Sequence, residues 1–149
     1  MEIQQVFKVV KGARVRWESF SRTVTLGGTP LVLSYGNNTI AVGLLLNVDN
    51  IIIFDAITGS QVAILSSHTG PIRSLVFSLD ERLLVSGSYD RTVKLWDIQT
   101  GGVIKSFCGH TKEVLSVSIS ADCTTIVSGS IDQQVCLWSI HTGNCHHSI

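Results

Sequence analysis

A repeat of 42 residues constrains the fold of this chain more than any other feature of its sequence. The Leu-Trp-Asp triplet at 95–97 returns as Leu-Trp-Ser at 137–139, and Ser-Gly-Ser-Tyr-Asp at 86–90 returns as Ser-Gly-Ser-Ile-Asp at 128–132. Thr-Gly pairs keep the same period and begin at Thr58, Thr100 and Thr142. Independent markers that share one spacing indicate tandem units, each of which buries its apolar surface against its neighbours.

Each unit divides into four short segments that are rich in β-branched and aliphatic residues and bounded by turn residues. The predicted strands are 72–77, 83–87, 92–96 and 103–107 in one unit, and 114–119, 126–129, 134–138 and 145–149 in the next. Helical periodicity is absent from both units. The sequence therefore predicts an all-β fold made of four-stranded antiparallel units.

The units resemble the WD-repeat family, which has about 40–45 residues per unit, a Gly-His near the start and a Trp-Asp ending the third strand. Gly109-His110 and Trp96-Asp97 match that pattern, and the resemblance covers about residues 26–149. It implies about three four-stranded antiparallel WD-repeat blades that form an incomplete β-propeller arc. The amino-acid sequence of the units is most similar to the regular WD arrays at the C-terminus of fungal NACHT-type signalling NTPases.

This resemblance suggests a division of the chain into four parts. Residues 1–25 are a remnant of a preceding blade or an N-terminal β-hairpin, 26–65 a degenerate WD blade, and 66–107 and 108–149 two WD blades. Subtracting 42 from the polar positions of the second blade gives apolar residues in the degenerate blade, namely Leu26, Leu44, Val48 and Phe54. We expect that blade, with strands at 31–35, 39–46, 50–55 and 61–65, to be held by aliphatic packing alone.

A repeated set of polar side chains invites two interpretations. The set is His68, Ser86, Asp90 and Trp96 in one unit and His110, Ser128, Asp132 and Trp138 in the next. A His, a Ser and an Asp together suggest a hydrolytic triad. However, a nucleophile is needed once per site, whereas this set is copied at a fixed period and always includes a Trp. The resemblance implies a buried structural network in which Asp holds His, His bonds Ser, and Ser reaches the Trp indole.

Charge and cysteine usage argue against several other classes of protein. Eleven basic and eleven acidic residues leave no net charge, so neither nucleic acid nor a membrane surface is an expected partner. Neither a spanning apolar run nor a secretory signal is apparent, so the expected setting is the cytoplasm, with the nucleus as the alternative. The His and Cys residues near the carboxyl end match no compact zinc module, and neighbours on a strand point to opposite faces. We expect no metal, no cofactor and reduced thiols.

Function is then expected at a loop-lined face. In WD-repeat propellers, partners commonly dock on the loops before strand one and after strand two. Carried over by position, those residues are Pro71, Arg73, Tyr89, Glu113, Leu115 and Ile131. The leading hypothesis is a non-catalytic scaffold for other proteins or peptides, either a fragment of a longer propeller or a chain that closes its ring by self-association. The alternative is a ligand-sensing segment of a larger signalling NTPase, and a Ser/His/Asp hydrolase is the least favoured hypothesis.

Overall fold

The computed structural model describes residues 7–10, 14–17, 23–25, 30–36, 38–44 and 49–149. Every regular element in these ranges is a β-strand, which confirms the all-β prediction. No helix in the described ranges is long and apolar enough to span a bilayer.

The strands form four separate antiparallel sheets, each built by consecutive strands. The N-terminal sheet contains three strands in the order β1-β2-β3, and β1 and β2 pair antiparallel. Its strands are β1 (Phe7–Val10), β2 (Arg14–Trp17) and β3 (Thr23–Thr25). Its assignment as the remnant of a blade stays a prediction.

The other three sheets have four strands each, in chain order. The first sheet contains β4 (Pro30–Tyr35), β5 (Thr39–Leu44), β6 (Asn50–Asp55) and β7 (Gln61–Ser66). The second contains β8 (Ile72–Phe77), β9 (Leu83–Ser88), β10 (Thr92–Asp97) and β11 (Val103–Cys108). The third contains β12 (Val114–Ile119), β13 (Thr125–Ser130), β14 (Val135–Ser139) and β15 (Cys145–Ser148). These three sheets confirm the four-stranded units that the sequence predicts.

The fixed offset of 42 is wrong for one strand, β5. Strands β4, β6 and β7 begin 42 residues before β8, β10 and β11, but β5 begins 44 residues before β9. The turn before β5 is two residues shorter than its counterpart in the second sheet, and the connection after β5 is two residues longer. Val42 pairs with Ile52 as Ser86 pairs with Lys94, so the counterpart of Ser86 is Val42 and not Leu44.

The second sheet lies between the first and the third, and both of its faces are covered. One face packs on the first sheet through a core that includes Ile53, Leu75 and Trp96. The other packs on the third sheet through a core that includes Val93 and Trp138. Because β9 is an inner strand of this covered sheet, its sequence is almost continuously buried and lacks the polar alternation of a half-exposed strand.

Glycine permits the closest approach between the second and third sheets. A Cβ on Gly87 would lie 2.7 Å from Cγ1 of Val114 and 2.8 Å from Cγ1 of Val117. Both distances are shorter than the van der Waals contacts of a packed core. The first strand of the third sheet therefore rests directly on the backbone of β9.

We expect Gly87→Ala to destabilise the protein by about 1–3 kcal/mol, because the added methyl overpacks this contact. Urea unfolding followed by tryptophan fluorescence measures the change. The matched control is Gly129→Ala, at the same register of the third sheet, where an added Cβ meets nothing within 4 Å. Alanine is favoured over glycine in a strand by about 0.5–1 kcal/mol, so the control should be neutral or slightly stabilising. Equal loss of stability in the two variants would contradict the contact.

Candidate functional site

Four polar side chains of the second sheet form a continuous hydrogen-bonded chain. Nδ1 of His68 lies 2.6 Å from Oδ2 of Asp90, and its Nε2 lies 2.7 Å from Oγ of Ser86. The indole Nε1–H of Trp96 donates to the same Oγ at 2.8 Å. The structure thus brings together all four residues that the sequence singles out in this unit.

The carboxylate fixes the direction of the chain. Because ionised Asp90 only accepts, Nδ1 of His68 carries a proton and donates it to Oδ2. In the tautomer with its one proton on Nδ1, Nε2 of His68 accepts the hydroxyl proton of Ser86, whose oxygen accepts the indole N–H of Trp96. Every donor has an acceptor, which is the condition under which a buried polar network stabilises a fold.

The third sheet repeats this geometry with different loop residues. Nδ1 of His110 lies 2.9 Å from Oδ2 of Asp132, and its Nε2 lies 2.8 Å from Oγ of Ser128. Nε1 of Trp138 donates to that Oγ at 2.8 Å. The two chains are the same in order and direction, and we refer to each as a latch.

The carboxylate of each latch also binds the backbone of the turn that carries it and of the loop before the sheet. Asp90 accepts from the N–H groups of Thr69 and Thr92, at 3.1 and 2.9 Å. Asp132 likewise accepts from the N–H groups of Thr111 and Gln134, at 2.9 and 3.0 Å. One side chain therefore ties the connection between two sheets to the turn between strands two and three.

Hydrogen bonding sets the ionisation of both carboxylates. Burial by itself raises the pKa of Asp90, but the hydrogen bonds from His68, Thr92 and Thr69 outweigh it and hold that pKa well below its usual range. Burial also raises the pKa of Asp132, but the hydrogen bonds from Thr111, His110 and Gln134 outweigh it and lower that pKa to about 2. Both groups are carboxylates at neutral pH.

A Ser-His-Asp set in this order has the connectivity of a hydrolytic triad. Nevertheless, Ser86 is 0% exposed and Ser128 is 1% exposed, and the second hydrogen-bond position at each Oγ is filled by an indole. An acyl carbon must reach within about 3–3.5 Å of a nucleophile before it reacts. The indole occupies that approach, so the geometry favours the structural interpretation of this set.

Two further serines join the loops to the sheets, and the sequence interpretation missed them. Oγ of Ser88 donates to the carbonyl of Gly70 at 2.9 Å, and Oγ of Ser130 donates to that of Lys112 at 3.1 Å. Each also accepts the N–H of the latch aspartate, at 3.1 Å. The signal was present, because the second Ser of each Ser-Gly-Ser recurs with the same 42-residue spacing as the first.

The described part of the first sheet has apolar residues where the other sheets have a latch. Val42 and Phe54, the counterparts of Ser86 and Trp96, are both buried. Leu26, Val48 and the side chain of Leu44 lie outside the described residues. Coordinated replacement of a polar network by apolar groups avoids a buried donor without a partner.

Cys136 lies inside the third sheet and contacts the latch. Its Sγ is 3.9 Å from Nδ1 of His110. Burial, together with the neighbouring Cys145 thiol and the charge of Asp132, raises the pKa of Cys136 to about 11. A thiol that keeps its proton at neutral pH is a poor nucleophile and a poor metal ligand. Among the described residues no group of three or more His, Cys, Asp or Glu side chains could hold a metal ion.

The residues proposed for partner binding share one end of the sheets. The N–H of Tyr89 donates to the carbonyl of Pro71 at 2.9 Å, and the N–H of Ile131 donates to that of Glu113 at 3.0 Å. Each bond joins the loop before strand one to the turn after strand two. We call the end of the sheets that these loops and turns form the loop end. Its exposed side chains include Arg73, Tyr89, Leu115 and Ile131.

Comparison with known proteins identifies the repeat. The family model described as "WD domain, G-beta repeat" matches residues 59–97 and 101–139, which together are more than half of the chain. The chain belongs to the WD-repeat family. The matched stretches end on the third strands of the second and third sheets, where the two WD repeats have Trp96-Asp97 and Trp138-Ser139.

The WD repeats are also similar to parts of much longer proteins. Periodic tryptophan protein 2 homolog of Schizosaccharomyces pombe is 49% identical over 41 residues, which cover 28% of this chain and 5% of the relative. The Neurospora crassa homolog is 51% identical over 41 residues, with the same coverage. Periodic tryptophan protein 2 of Saccharomyces cerevisiae is 30% identical over 82 residues, or 55% of this chain and 9% of the relative. The chain therefore spans less than a tenth of these relatives.

We expect Asp132→Asn to destabilise the protein by about 1–3 kcal/mol, the cost of leaving a buried donor without an acceptor. The amide has one acceptor oxygen, whereas His110, Thr111 and Gln134 all donate to the carboxylate. Chemical unfolding measures the loss. Asp122→Asn is the matched control, because Asp122 bonds only Ser120 and Thr124 in an exposed turn. A loss of stability at Asp122 as large as that at Asp132 would contradict the latch.

The lowered pKa of Asp132 predicts how acid destabilises the fold. An unfolded aspartate has a pKa of about 4, and the folded value is about 2. The contribution of Asp132 is therefore fully present above about pH 4 and is lost as the pH falls toward 2. Thermal unfolding between pH 7 and pH 2.5 should show a smaller acid-induced decrease in Asp132→Asn than in the wild type. Parallel curves for the two proteins would contradict the assignment.

Proposed function

We propose that this chain is a non-catalytic interaction scaffold that binds other proteins or peptides at the loop end of its WD repeats. The observation that carries the proposal is that the polar set is buried whereas the loop end is exposed. The serine of each Ser-His-Asp set is buried and bonded to an indole, so it cannot meet a substrate. The loops that the set holds in place carry the exposed side chains of Arg73, Tyr89, Leu115 and Ile131.

The chemistry of the loop end suits protein recognition. Tyrosine and arginine are enriched among the residues that carry most of the binding energy at protein interfaces. Tyr89 and Ile131 occupy equivalent turns of adjacent sheets and are 42% and 44% exposed. Because each turn is fixed by its latch aspartate, little conformational entropy is lost when a partner binds.

The surroundings of the loop end favour a protein partner over a nucleic acid. The whole chain carries equal numbers of acidic and basic residues, so it lacks the positive field that attracts phosphate backbones. We infer a cytoplasmic setting, with the nucleus as the alternative. The name of the relatives refers to periodic tryptophans, and in this chain Trp96 and Trp138 are 42 residues apart. We propose that it serves as a WD-repeat segment of the same kind.

We expect the double variant Tyr89→Ala/Ile131→Ser to lose partner binding while it keeps its thermal midpoint. The measurement is capture of proteins from an extract on the immobilised full chain, quantified by mass spectrometry. The captured amount should be at least about tenfold lower for the double variant than for the wild type, since truncating a central anchor residue costs about 2 kcal/mol or more of binding free energy. Leu79→Ser is the control, because Leu79 is 76% exposed in the turn between β8 and β9, at the other end of the sheet.

Two results would contradict the proposal. Equal capture by the wild type and the double variant would remove the loop end as the binding surface. Labelling of Ser86 or Ser128 by a fluorophosphonate probe in the folded protein would show an accessible nucleophile and contradict the non-catalytic role.

A further inference from the structure

Strand pairing in the third sheet brings two cysteines to one face. Cys136 and Trp138 lie two residues apart on β14, so their side chains point to the same face, and both are buried in the core between the second and third sheets. Cys145, on β15, pairs with Trp138. Residues directly opposite each other in an antiparallel pair share a face. Cys145 therefore lies on the face of Cys136, diagonally across the two strands.

A bulge in β15 causes this placement. Leu137 pairs with His147, but Trp138 pairs with Cys145, so His146 is an extra residue in the ladder. In a regular ladder Trp138 would pair with His146, and Cys145 would point to the opposite face, because a slip by one residue exchanges the faces of a strand. The bulge therefore creates the cysteine pair.

The two thiols interact with each other across the strands. The thiol of Cys136 shares a side-chain hydrogen bond with Cys145. In the second sheet Lys94 is the counterpart of Cys136, and its Nζ donates to Oγ of Ser106 on the outer strand at 3.2 Å. This position of the third strand thus makes a cross-strand side-chain bond in both sheets, and in the third sheet both partners can be oxidised.

The two cysteines differ in their access to solvent. Cys145 is exposed, whereas Cys136 is 4% exposed. Nζ of Lys105, on the second sheet, donates to the carbonyls of Ile140 and His141 at 2.9 and 2.7 Å, and so holds the turn that leads into β15. A reagent in solution can therefore reach Cys145, while the fixed turn keeps that residue beside Cys136.

We propose that Cys136 and Cys145 are a redox-sensitive pair, which a hydroperoxide converts reversibly into a disulfide that joins β15 covalently to β14. The structure contains the reduced form of the pair. Disulfides of cytosolic proteins are usually transient and often sense redox conditions. The pair lies outside the loop end, so the proposal does not depend on the scaffold function.

With hydrogen peroxide as the oxidant, the reaction has two balanced steps. The Cys145 thiolate attacks one peroxide oxygen, the O–O bond breaks, and the released hydroxide takes up the thiol proton to form water, which leaves Cys145 as a sulfenic acid. The sulfur of Cys136 then attacks the sulfur of Cys145, the S–O bond breaks, and the hydroxyl group leaves as water with the Cys136 proton. Two thiols thus give two electrons to one peroxide, and a dithiol reverses the change by exchange.

The environment of Cys136 suits it to the second step. Burial, the Cys145 thiol and the charge of Asp132 raise the pKa of Cys136 to about 11, so it resists direct oxidation at neutral pH. Oxidation of Cys145 to a neutral sulfenic acid removes one of these causes. Since the two sulfurs are neighbours, the attack is intramolecular, which compensates for a small thiolate fraction.

The test uses the full chain with Cys108→Ser and Cys123→Ser, which leaves the two cysteines of the pair. After treatment with hydrogen peroxide, chymotrypsin is used to cleave beside Leu137 and Trp138, between the cysteines. We expect the two peptides to remain joined until a dithiol is added. The bridge should also raise the thermal midpoint of the intact chain by at least about 4 °C, because it restricts the unfolded state.

Two control variants in the same background separate geometry from reactivity. Asn144 accepts the N–H of Ser139, so it lies one step along the ladder from Cys145 and on the opposite face. Asn144→Cys combined with Cys145→Ser should therefore form no bridge. In Cys136→Ser, dimedone should label the sulfenic acid at Cys145, and the label should be at least about fivefold weaker when Cys136 is present to consume that acid.

Three results would overturn the proposal. The first is peroxide treatment that leaves Cys145 as a sulfenic or sulfinic acid beside unmodified Cys136. The second is a bridge that forms equally fast in the variant with Asn144→Cys and Cys145→Ser. The third is oxidation that yields only disulfide-linked dimers of the chain on a non-reducing gel, because the two sulfurs of one molecule would then be unable to meet.

Discussion

The hydrogen bonds to the turn carboxylate are the interactions on which the rest of each repeat depends. Asp90 accepts and never donates, so its bond to His68 places a proton on Nδ1 of that ring. With its one proton on Nδ1, His68 accepts at Nε2 from Ser86, and the oxygen of Ser86 accepts the indole N–H of Trp96. Because Asp90 also accepts two backbone N–H groups, one carboxylate joins the core of the sheet to two surface segments. The same logic holds in the third sheet.

The tryptophan has a second role, since it also forms part of the contact between sheets. The rings of Trp138 and Phe107 have centroids 5.8 Å apart, and Phe107 belongs to the second sheet. A Cβ on Gly109 would lie 2.9 Å from Cη2 of Trp138, so the connection between the two sheets also runs close to the indole. Loss of this side chain would therefore weaken the latch and the packing of one sheet on the next together.

Much of the fold could be predicted from the sequence, because the repeat supplies several independent markers of the same period. The strand ranges in the second and third sheets agree with prediction to within one residue at every end. The polar set follows from the same markers, whereas the roles of Ser88 and Ser130 depend on their hydrogen bonds to the loop carbonyls of Gly70 and Lys112, which a period in the sequence does not reveal. The position of Val42 could not be predicted by a fixed offset, since a shorter turn on one side of β5 and a longer connection on the other leave the total length unchanged. Pairing partners identify such a compensated shift, and residue counts do not.

The displacement of β5 by two residues also shows which changes in length this architecture tolerates. Side chains alternate between the faces of a strand, so a displacement by two returns each one to its original face, whereas a displacement by one would turn the apolar set toward the wrong neighbour. Ala41, which faces the second sheet, remains in the core despite the displacement. Among related repeats, paired insertions and deletions that flank an inner strand should therefore accumulate in even numbers, and odd ones should be confined to connections that do not change strand register.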